Sequence, residues 1–428
     1  MTMNTNEISG KRQMEFLAGF DYIREAGTAG EEKAAALLLE TLSSLGVESR
    51  LEEFGFDTFQ IKKAKLTITK PYKKEYTVTG YGRCGNTAED GLQAPFVYAE
   101  NGDEISLAHV SGKIVMVNDP IRKDMYQKLV KAGAVGFISI AGSPLDEGED
   151  LVPRAYGLPK NLPGEEKKEA GKEAQNYHNR IPGVSIHYKD AIELVTNGAS
   201  QACLSVEQKT VTRTSRNVVA RIEGTDRAEE ILTLTAHYDS VPEGPGAYDN
   251  MSGGAIIMEL CRYFQVHRPR RTMEFVWFGA EEKGLLGSQS YIKVHETELP
   301  AHRFNMNVDL AGQLVGGTVV GVTGDASVCN MITYMAHEIG IGMSTKNQIW
   351  GSDSNTFAWK GVPALTLNRD GFGMHTRHDT VEYISPRALE EGAKTLCTAA
   401  AWVANEPEFS FEREIPEDMK RELEKYFA

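Results

Sequence analysis

The chain has 428 residues, long enough for two or three domains that each bury a core, and its 41% hydrophobic and 25% charged content is that of an ordinary globular protein. A formal net charge of -14 excludes a partner held mainly through phosphates, so no nucleic-acid partner is expected. No run approaches the ~18 consecutive apolar residues of a membrane span, and the five scattered cysteines include no CxxC pair, which argues against a membrane partner, a disulfide framework and a thiolate zinc site.

The opening "MTMNTNEISGKRQ" lacks the apolar core of a secretory signal, so a cytoplasmic chain is expected unless a leader has been removed. From residue 12 to 46 apolar residues recur at helical spacing, broken at "GTAG" and stopped by Gly46, which predicts two helices. "VESRLEEFGF" then alternates like an edge strand, and a comparable pattern returns only with "RNVVARIEG" at 216–224.

Residues 61–207 between them read as an inserted domain. It carries the short β-type runs "KLTITK", "PFVYAE", "GKIVMVND", "GAVGFISIAG" and "IPGVSIH" and one helix, "RKDMYQKLVKAG". Within it, residues 144–180 are rich in charge and poor in large apolar side chains, the pattern of a polar surface excursion or lid. Residues 1–60 and 208–428 form the main domain.

From residue 231 onward apolar strands alternate with amphipathic helices: "ILTLTA", "SGGAIIMELCRYFQ", "TMEFVWFG", "GLLGSQSYIKVH", "FNMNVDL", "GTVVGV", "ASVCNMITYMAHEIG", "PALTLNR" and a closing helix from 386 to about 405. The alternation predicts an α/β fold, a mostly parallel mixed sheet covered by helices on both faces. Such sheets place their sites beyond the carboxyl ends of the strands.

Ligand-type side chains stand at four of those strand ends. His237, Asp239 and Asp249 follow "ILTLTA", Glu281 and Glu282 follow "MEFVWFGA", Asp309 ends "FNMNV", and His375 and His378 follow "PALTLNRDGFGM". Any one of them alone is more commonly a helix cap or a solvated charge. Together, at least five carboxylates on one rim repel each other unless a cation is bound.

Two imidazoles with surplus carboxylates and no thiolate suit zinc or a similar divalent ion, and the surplus suits a pair of ions sharing one Asp. The Gly/Pro loop "VPEGPGAYDN" lets the chain fold back so that His237 and Asp249 reach one ion. His237 and Asp239 lie two apart in extended chain and point the same way, so Asp239 is expected to orient the imidazole rather than bind metal. Glu281 and Glu282 are adjacent and cannot both face one point; one is a ligand and the other handles the proton of a water, and spacing does not say which. A phosphate-cradling role for "GPGAYDNMSGG" fails on charge, because Asp249 would face an anion and neither GxGxxG nor GxxxxGK[ST] is present.

"AHYDS", "AYDNMSGGA", "FGAEEKGLLGS", "NVDLAG", "GSDSNTFAWKGVPALTL" and "HTRHDTVEYIS", in this order, resemble the M28 family of metallopeptidases, the di-zinc aminopeptidases. The resemblance implies a three-layer α/β/α sandwich in which His237 and Asp309 hold one zinc, Glu282 and His375 the other, and Asp249 bridges them. It further implies Glu281 as general base, Asp239 as the partner of His237, and a cis peptide at Asp249–Asn250. "HTRH" offers His378 as a rival to His375, Met374 stands where many relatives carry Tyr, and the role of Asp353 in "GSDSNTF" is open. The insertion, through "VSGKIVMVNDPIRKDMYQKLVKAGAVGFISI" and "IPGVSIHY", resembles a protease-associated (PA) domain, an access or docking module.

The function implied is a metal-dependent exopeptidase that removes N-terminal residues from peptide substrates with two zinc ions per chain and a glutamate base. A carboxypeptidase or an N-acyl-amino-acid deacylase on the same site, a single-zinc acyltransferase of the glutaminyl cyclase type, and a non-enzymatic binding protein on the same fold are the alternatives.

Overall fold

The computed structural model describes residues 5–118, 120–162, 177–409 and 411–427. They fall into two compact units, Met1–Phe56 with Thr214–Ala428, and Asp57–Arg213. The chain passes between units within two long strands, Glu48–Lys70 and Gln201–Ile222. The first absorbs both "VESRLEEFGF" and "KLTITK", and the second contains "RNVVARI". Their middle stretches mix polar and apolar side chains that are mostly part-buried or exposed, so backbone pairing continues where side-chain alternation gives no clear signal.

In the larger unit the sheet order is Ser344–Asn347, Thr318–Thr323, Ala364–Arg369, His302–Val308, Arg227–His237, Arg271–Phe278 and Gln201–Ile222. The four strands from Ala364–Arg369 to Arg271–Phe278 run parallel to their neighbours, and Gln201–Ile222 and Thr318–Thr323 flank them antiparallel. This is an α/β fold on a mixed sheet.

Strand side chains alternate between two apolar clusters, as a period of two requires. Val218, Ala220, Phe275 and Trp277 pack with helices Gly10–Leu17, Ala29–Ser44, Ser252–Val266 and Pro386–Asn405 through Leu17, Leu38, Ile256 and Leu396. Val219, Val276 and Phe278 pack instead with Tyr291 and Ile292 of Leu286–Val294 and Phe357 of Ser354–Trp359. The closing helix begins where its sequence says it should, with Ser385 capping the amide of Ala388 and Pro386 in the first turn. The helices Ser354–Trp359 and Glu417–Phe427 are additions to the sequence reading.

The smaller unit has its own parallel strands, Leu92–Tyr98, Ile114–Val117, Gly136–Ala141 and Gly183–His187, with Val78–Gly80 antiparallel at the edge. Helices Lys123–Lys131 and Tyr188–Thr196 pack Leu129 and Leu194 into a core with Ile114, Ile138 and Val184. The polar excursion expected at 144–180 is only partly a surface feature: Leu158 and Leu162 are buried in that core, and Gly157 bridges to Gly82. The two leucines, spaced four apart, are joined by Thr79, Arg83 and Arg180, which donate to the carbonyls of Pro153, Leu158, Pro159 and Lys160. Its centre, residues 163–176, lies outside the described residues. No helix among the described residues is long and apolar enough to cross a membrane.

Candidate metal centre

The four parallel strands deliver the candidate ligands at their carboxyl ends. His237 is the last residue of Arg227–His237, Asp309 directly follows His302–Val308, Glu281 and Glu282 follow Arg271–Phe278, and His375 lies on the loop after Ala364–Arg369. Asp249 arrives from the Gly/Pro loop, just before the helix Ser252–Val266.

Asp249 stands at the centre. One of its carboxylate oxygens lies 3.1 Å from His237 Nε2 and the other 3.0 Å from His375 Nε2. His237 Nε2 also lies 3.5 Å from Asp309, and His375 Nε2 lies 3.1 Å from Glu282. Ligand atoms of His237, Glu281 and Asp309 fall within 4.8 Å of one another, as do those of Asp249, Glu282 and His375. His378, the rival to His375, is exposed and belongs to neither group.

Several devices hold this arrangement, and the sequence reading named few of them. Arg24, fully buried at the end of the helical entry, donates to the carbonyls of Phe20, Tyr22, Tyr238, Pro245 and Gly246. One guanidinium thereby clamps both ends of the loop between His237 and Asp249. Gly246, at φ 60°, makes the turn, and a Cβ there would lie 2.2 Å from the Asp249 carbonyl oxygen.

Asp379 accepts from the amides of Tyr248 (2.6 Å) and Asp249 (3.0 Å). Asn250 accepts from the amide of Leu310 and donates to the Val308 carbonyl, tying the loop to the strand end that presents Asp309. The peptide bond between Asp249 and Asn250 is cis.

Asp239 does more than face its histidine. Its carboxylate accepts from the amides of Glu281 (3.0 Å) and Glu282 (3.3 Å), and it lies 3.5 Å from His237 Nδ1, which is nearer the Asp239 carbonyl oxygen at 3.3 Å. Asp239 thus fixes the Glu281–Glu282 turn as well as the imidazole. Ala280 (φ 55°), Leu310 (φ 64°) and His375 (φ 61°) occupy the left-handed region, each at or beside a ligand position. Such conformations cost of order 1 kcal/mol or more each and gather where the surroundings dictate side-chain direction.

The electrostatics are those of crowded anions. Burial pushes the Glu281 carboxyl well up, with Asp309, Asp353 and Glu282 adding to the rise against His237. Glu282 is raised by burial and by Asp249, and Asp353 is pushed up to about 7, chiefly by burial. Burial disfavours a charged His237, yet Glu281, Asp239, Asp249 and Asp309 outweigh it and raise that ring well above its usual value. His375 rises to about 9 in the same way, through Asp249 and Glu282. Asp249 is held below the usual carboxylate range because both imidazoles outweigh its burial.

Protons are thus drawn onto several groups to offset one excess of negative charge, the task that a bound cation performs. Both carboxylate oxygens of Asp353 are buried without a hydrogen-bond partner, and buried Glu282 Oε1 has only the His375 imidazole, at 3.1 Å. With paired imidazoles, no thiolate and orphaned carboxylate oxygens, the donor set fits divalent ions of the zinc type.

Residues 217–400 match the sequence model of peptidase family M28. Aminopeptidase YwaD of Bacillus subtilis (strain 168) is 28% identical over 410 residues, spanning 89% of this chain and 81% of the relative. Carboxypeptidase Q of Mus musculus is 25% identical over 400 residues, spanning 89% of this chain and 83% of the relative. Among solved structures, a zinc aminopeptidase from Bacillus subtilis superposes with a TM-score of 0.78 at 24% identity, over 96% of this chain and 99% of that one.

Proposed function

We propose that this chain, whose residues 217–400 match the sequence model of peptidase family M28, is a two-metal exopeptidase acting at the free N-terminus of peptides. The observation that carries the reading is Asp249, whose two oxygens face two different histidines at 3.1 and 3.0 Å. Sharing Asp249 gives each position the same donors, one imidazole, one terminal carboxylate and the shared one: His237 with Asp309, and His375 with Glu282. Glu281 is then the surplus carboxylate.

Zinc ions bound there would make a water nucleophilic at neutral pH and polarise the scissile carbonyl. The chain's own residues do the rest. Glu281, half-buried beside His237 and Asp309, takes the proton from the attacking water on its carboxylate and returns it to the leaving amine. Asp239, by holding the amides of Glu281 and Glu282, keeps base and ligand pointed to different places. Arg24 and Asp379 keep Asp249 on the line between the imidazoles. The carboxylate surplus favours a substrate that brings a positive charge, as a free α-amine does. The inserted unit, read as a PA-like module, takes no part in the chemistry.

Relatives named carboxypeptidase Q support a second reading, removal of residues from the other end. Metal analysis combined with aminoacyl-nitroanilides and N-blocked peptides separates the two. Two zinc ions per chain and cleavage of nitroanilides are expected; cleavage of N-blocked peptides alone overturns the aminopeptidase reading. Glu281→Gln should retain both metals and lose about 10²–10⁴-fold in kcat. Full activity in that variant refutes the base.

A further inference from the structure

Three parallel strands of the smaller unit, Leu92–Tyr98, Ile114–Val117 and Gly136–Ala141, end side by side. Tyr98 closes the first, Asn118 directly follows the second and Gly142 the third, and all three line a cavity of about 500 Å³ that lies within this unit. The carboxyl edge of a parallel sheet is where open α/β layers hold their ligands, and the volume is that of a small-molecule site rather than of one side chain. The edge beside Gly142 is fixed. His187 Nδ1 accepts from the amide of Lys189, so Nε2 carries the proton and donates to Asp146 at 3.1 Å, and a Cβ at Gly142 would lie 2.6 Å from that ring.

One wall of the cavity is the helix Tyr188–Thr196. Its Leu194 is buried in the core, whereas Tyr188, Ile192 and Val195, at helical spacing along one stripe, are 37%, 48% and 46% exposed and all line the cavity. Apolar area left in water is unfavourable, and a contiguous patch of it marks a contact surface. On the opposite rim the Tyr98 hydroxyl donates to Asn118 Oδ1 (2.8 Å), and Asn118 Nδ2 donates to Asn101 Oδ1 (2.9 Å). This ladder ends on the Asn101 carboxamide nitrogen, which donates to no described residue. Among the described residues lining the cavity none is an acid, a lysine, an arginine or a histidine, in a chain of net charge -14.

We propose that this cavity binds an uncharged small molecule with an apolar body and a carbonyl oxygen. The body lies along Tyr188, Ile192 and Val195, and the carbonyl accepts a hydrogen bond from Asn101, the donor left over at the end of the ladder. An ionised ligand would give up its hydration and find no opposite charge in the lining, so neutrality is the selecting property. The site thereby differs in chemistry from the metal centre, where crowded carboxylates call for positive charge.

The probe is prodan, a neutral naphthalene with one carbonyl group, whose emission shifts to the blue when it leaves water. Titrated with the full chain, it should bind saturably, and acetylnaphthalene should displace it about tenfold more effectively than naphthoate, an anion of similar size. Ile192→Asp puts a charge on the apolar stripe and should weaken prodan binding about tenfold or more. Asn101→Ala should weaken it about fivefold, the effect of one neutral hydrogen bond. Ile105→Asp, at an exposed isoleucine of the same unit outside the cavity, should leave the affinity within about twofold of the parent's. Asn101 is remote from the helix, so Asn101→Ala carries the test if Ile192→Asp lowers Tm. Absence of saturable binding overturns the proposal, and so do equal displacement by naphthoate, parental affinity in a folded Ile192→Asp or in Asn101→Ala, and an equal loss in Ile105→Asp.

Discussion

Among the described residues, the larger unit encloses Glu31, Asp239, Asp249, Glu259, Glu274, Asp309, Asp353 and Asp379 as buried carboxylates, whereas the buried polar side chains of Asp57–Arg213 include Arg180 and His187 but no acid. Both units have continuous apolar cores, so neither needs ionised groups to hold together. A carboxylate taken from water is expensive unless cations or donors compensate it. Glu259 has Arg12 and Arg262, and Glu274 has Tyr291 and Arg221. Among the described residues, the cationic partners in contact with Asp249 are the two imidazoles alone, and this shortfall, rather than carboxylate number, distinguishes the site from a structural ion pair.

The strongest way to break that contrast is to remove Asp249, the proposed shared ligand. Asp249→Asn keeps the shape and one acceptor oxygen but cannot present an anion to both histidines. Metal content should drop below two per chain and kcat should fall on the order of a thousandfold or more. Elemental analysis beside steady-state kinetics checks both, and a variant with two metals and parental kcat would remove Asp249 from the centre.

A smaller effect is expected at Arg24. Arg24→Ala removes a donor from five carbonyls, three of them (Tyr238, Pro245 and Gly246) inside the loop that carries Asp249, at a stability loss of about 3 kcal/mol or more. Lysine should rescue little, since a point charge cannot reach five carbonyls in a fork. Weaker metal retention on dialysis is the readout that a purely structural residue, remote from the loop, would not show.

The candidate ligands at the strand ends were legible because an apolar run followed by His, Asp or Glu marks where a parallel strand ends, and open sheets keep their sites there. Arg24 was not legible: it is one arginine in a helical entry, and its five acceptors are backbone atoms that leave no mark on a sequence. Asp379 sat within a quoted motif but was given no role, since an acid that accepts from distant amides is spaced no differently from a solvated one. The helix Glu417–Phe427 escaped because so much of it is charged, and its apolar stripe gains meaning only once Ala358 and Trp359 are seen beneath it. The two long strands were cut short where their polar middles hid the pairing.

The larger unit also carries a pH signature on a carboxyl outside the candidate ligand set. Glu31 accepts from Ser215 and from the amide of Gly27 (2.7 Å), and burial pushes its carboxyl up to about 7. A carboxyl with a raised folded pKa is protonated in the folded chain while already ionised in the unfolded one between pH 4.5 and 7. The folded state binds more protons there, so stability is fullest below about 4.5 and declines as pH rises to about 7, by up to about 1.4 kcal/mol per pH unit. Glu31→Gln should flatten that slope in urea titrations across the window. An unchanged slope would show that Glu31 ionises normally.

The smallest effect on the reaction is expected from the largest disturbance of the other unit. Leu194 is fully buried on the helix Tyr188–Thr196, against a core that encloses no acid. Leu194→Ala should lower the local stability of that unit by about 2–5 kcal/mol, the range for a leucine truncated in a core that collapses only partly. Hydrogen exchange should speed up in strands Ile114–Val117, Gly136–Ala141 and Gly183–His187, whose side chains line the same cluster. Because the ligands and their supports come from strand ends and loops of the larger unit, kcat at saturating peptide should stay within twofold of the parent and zinc content should not change. A loss of kcat comparable to that of Asp249→Asn would mean that the inserted unit takes part in the chemistry, and that a core without buried acids does not mark a bystander.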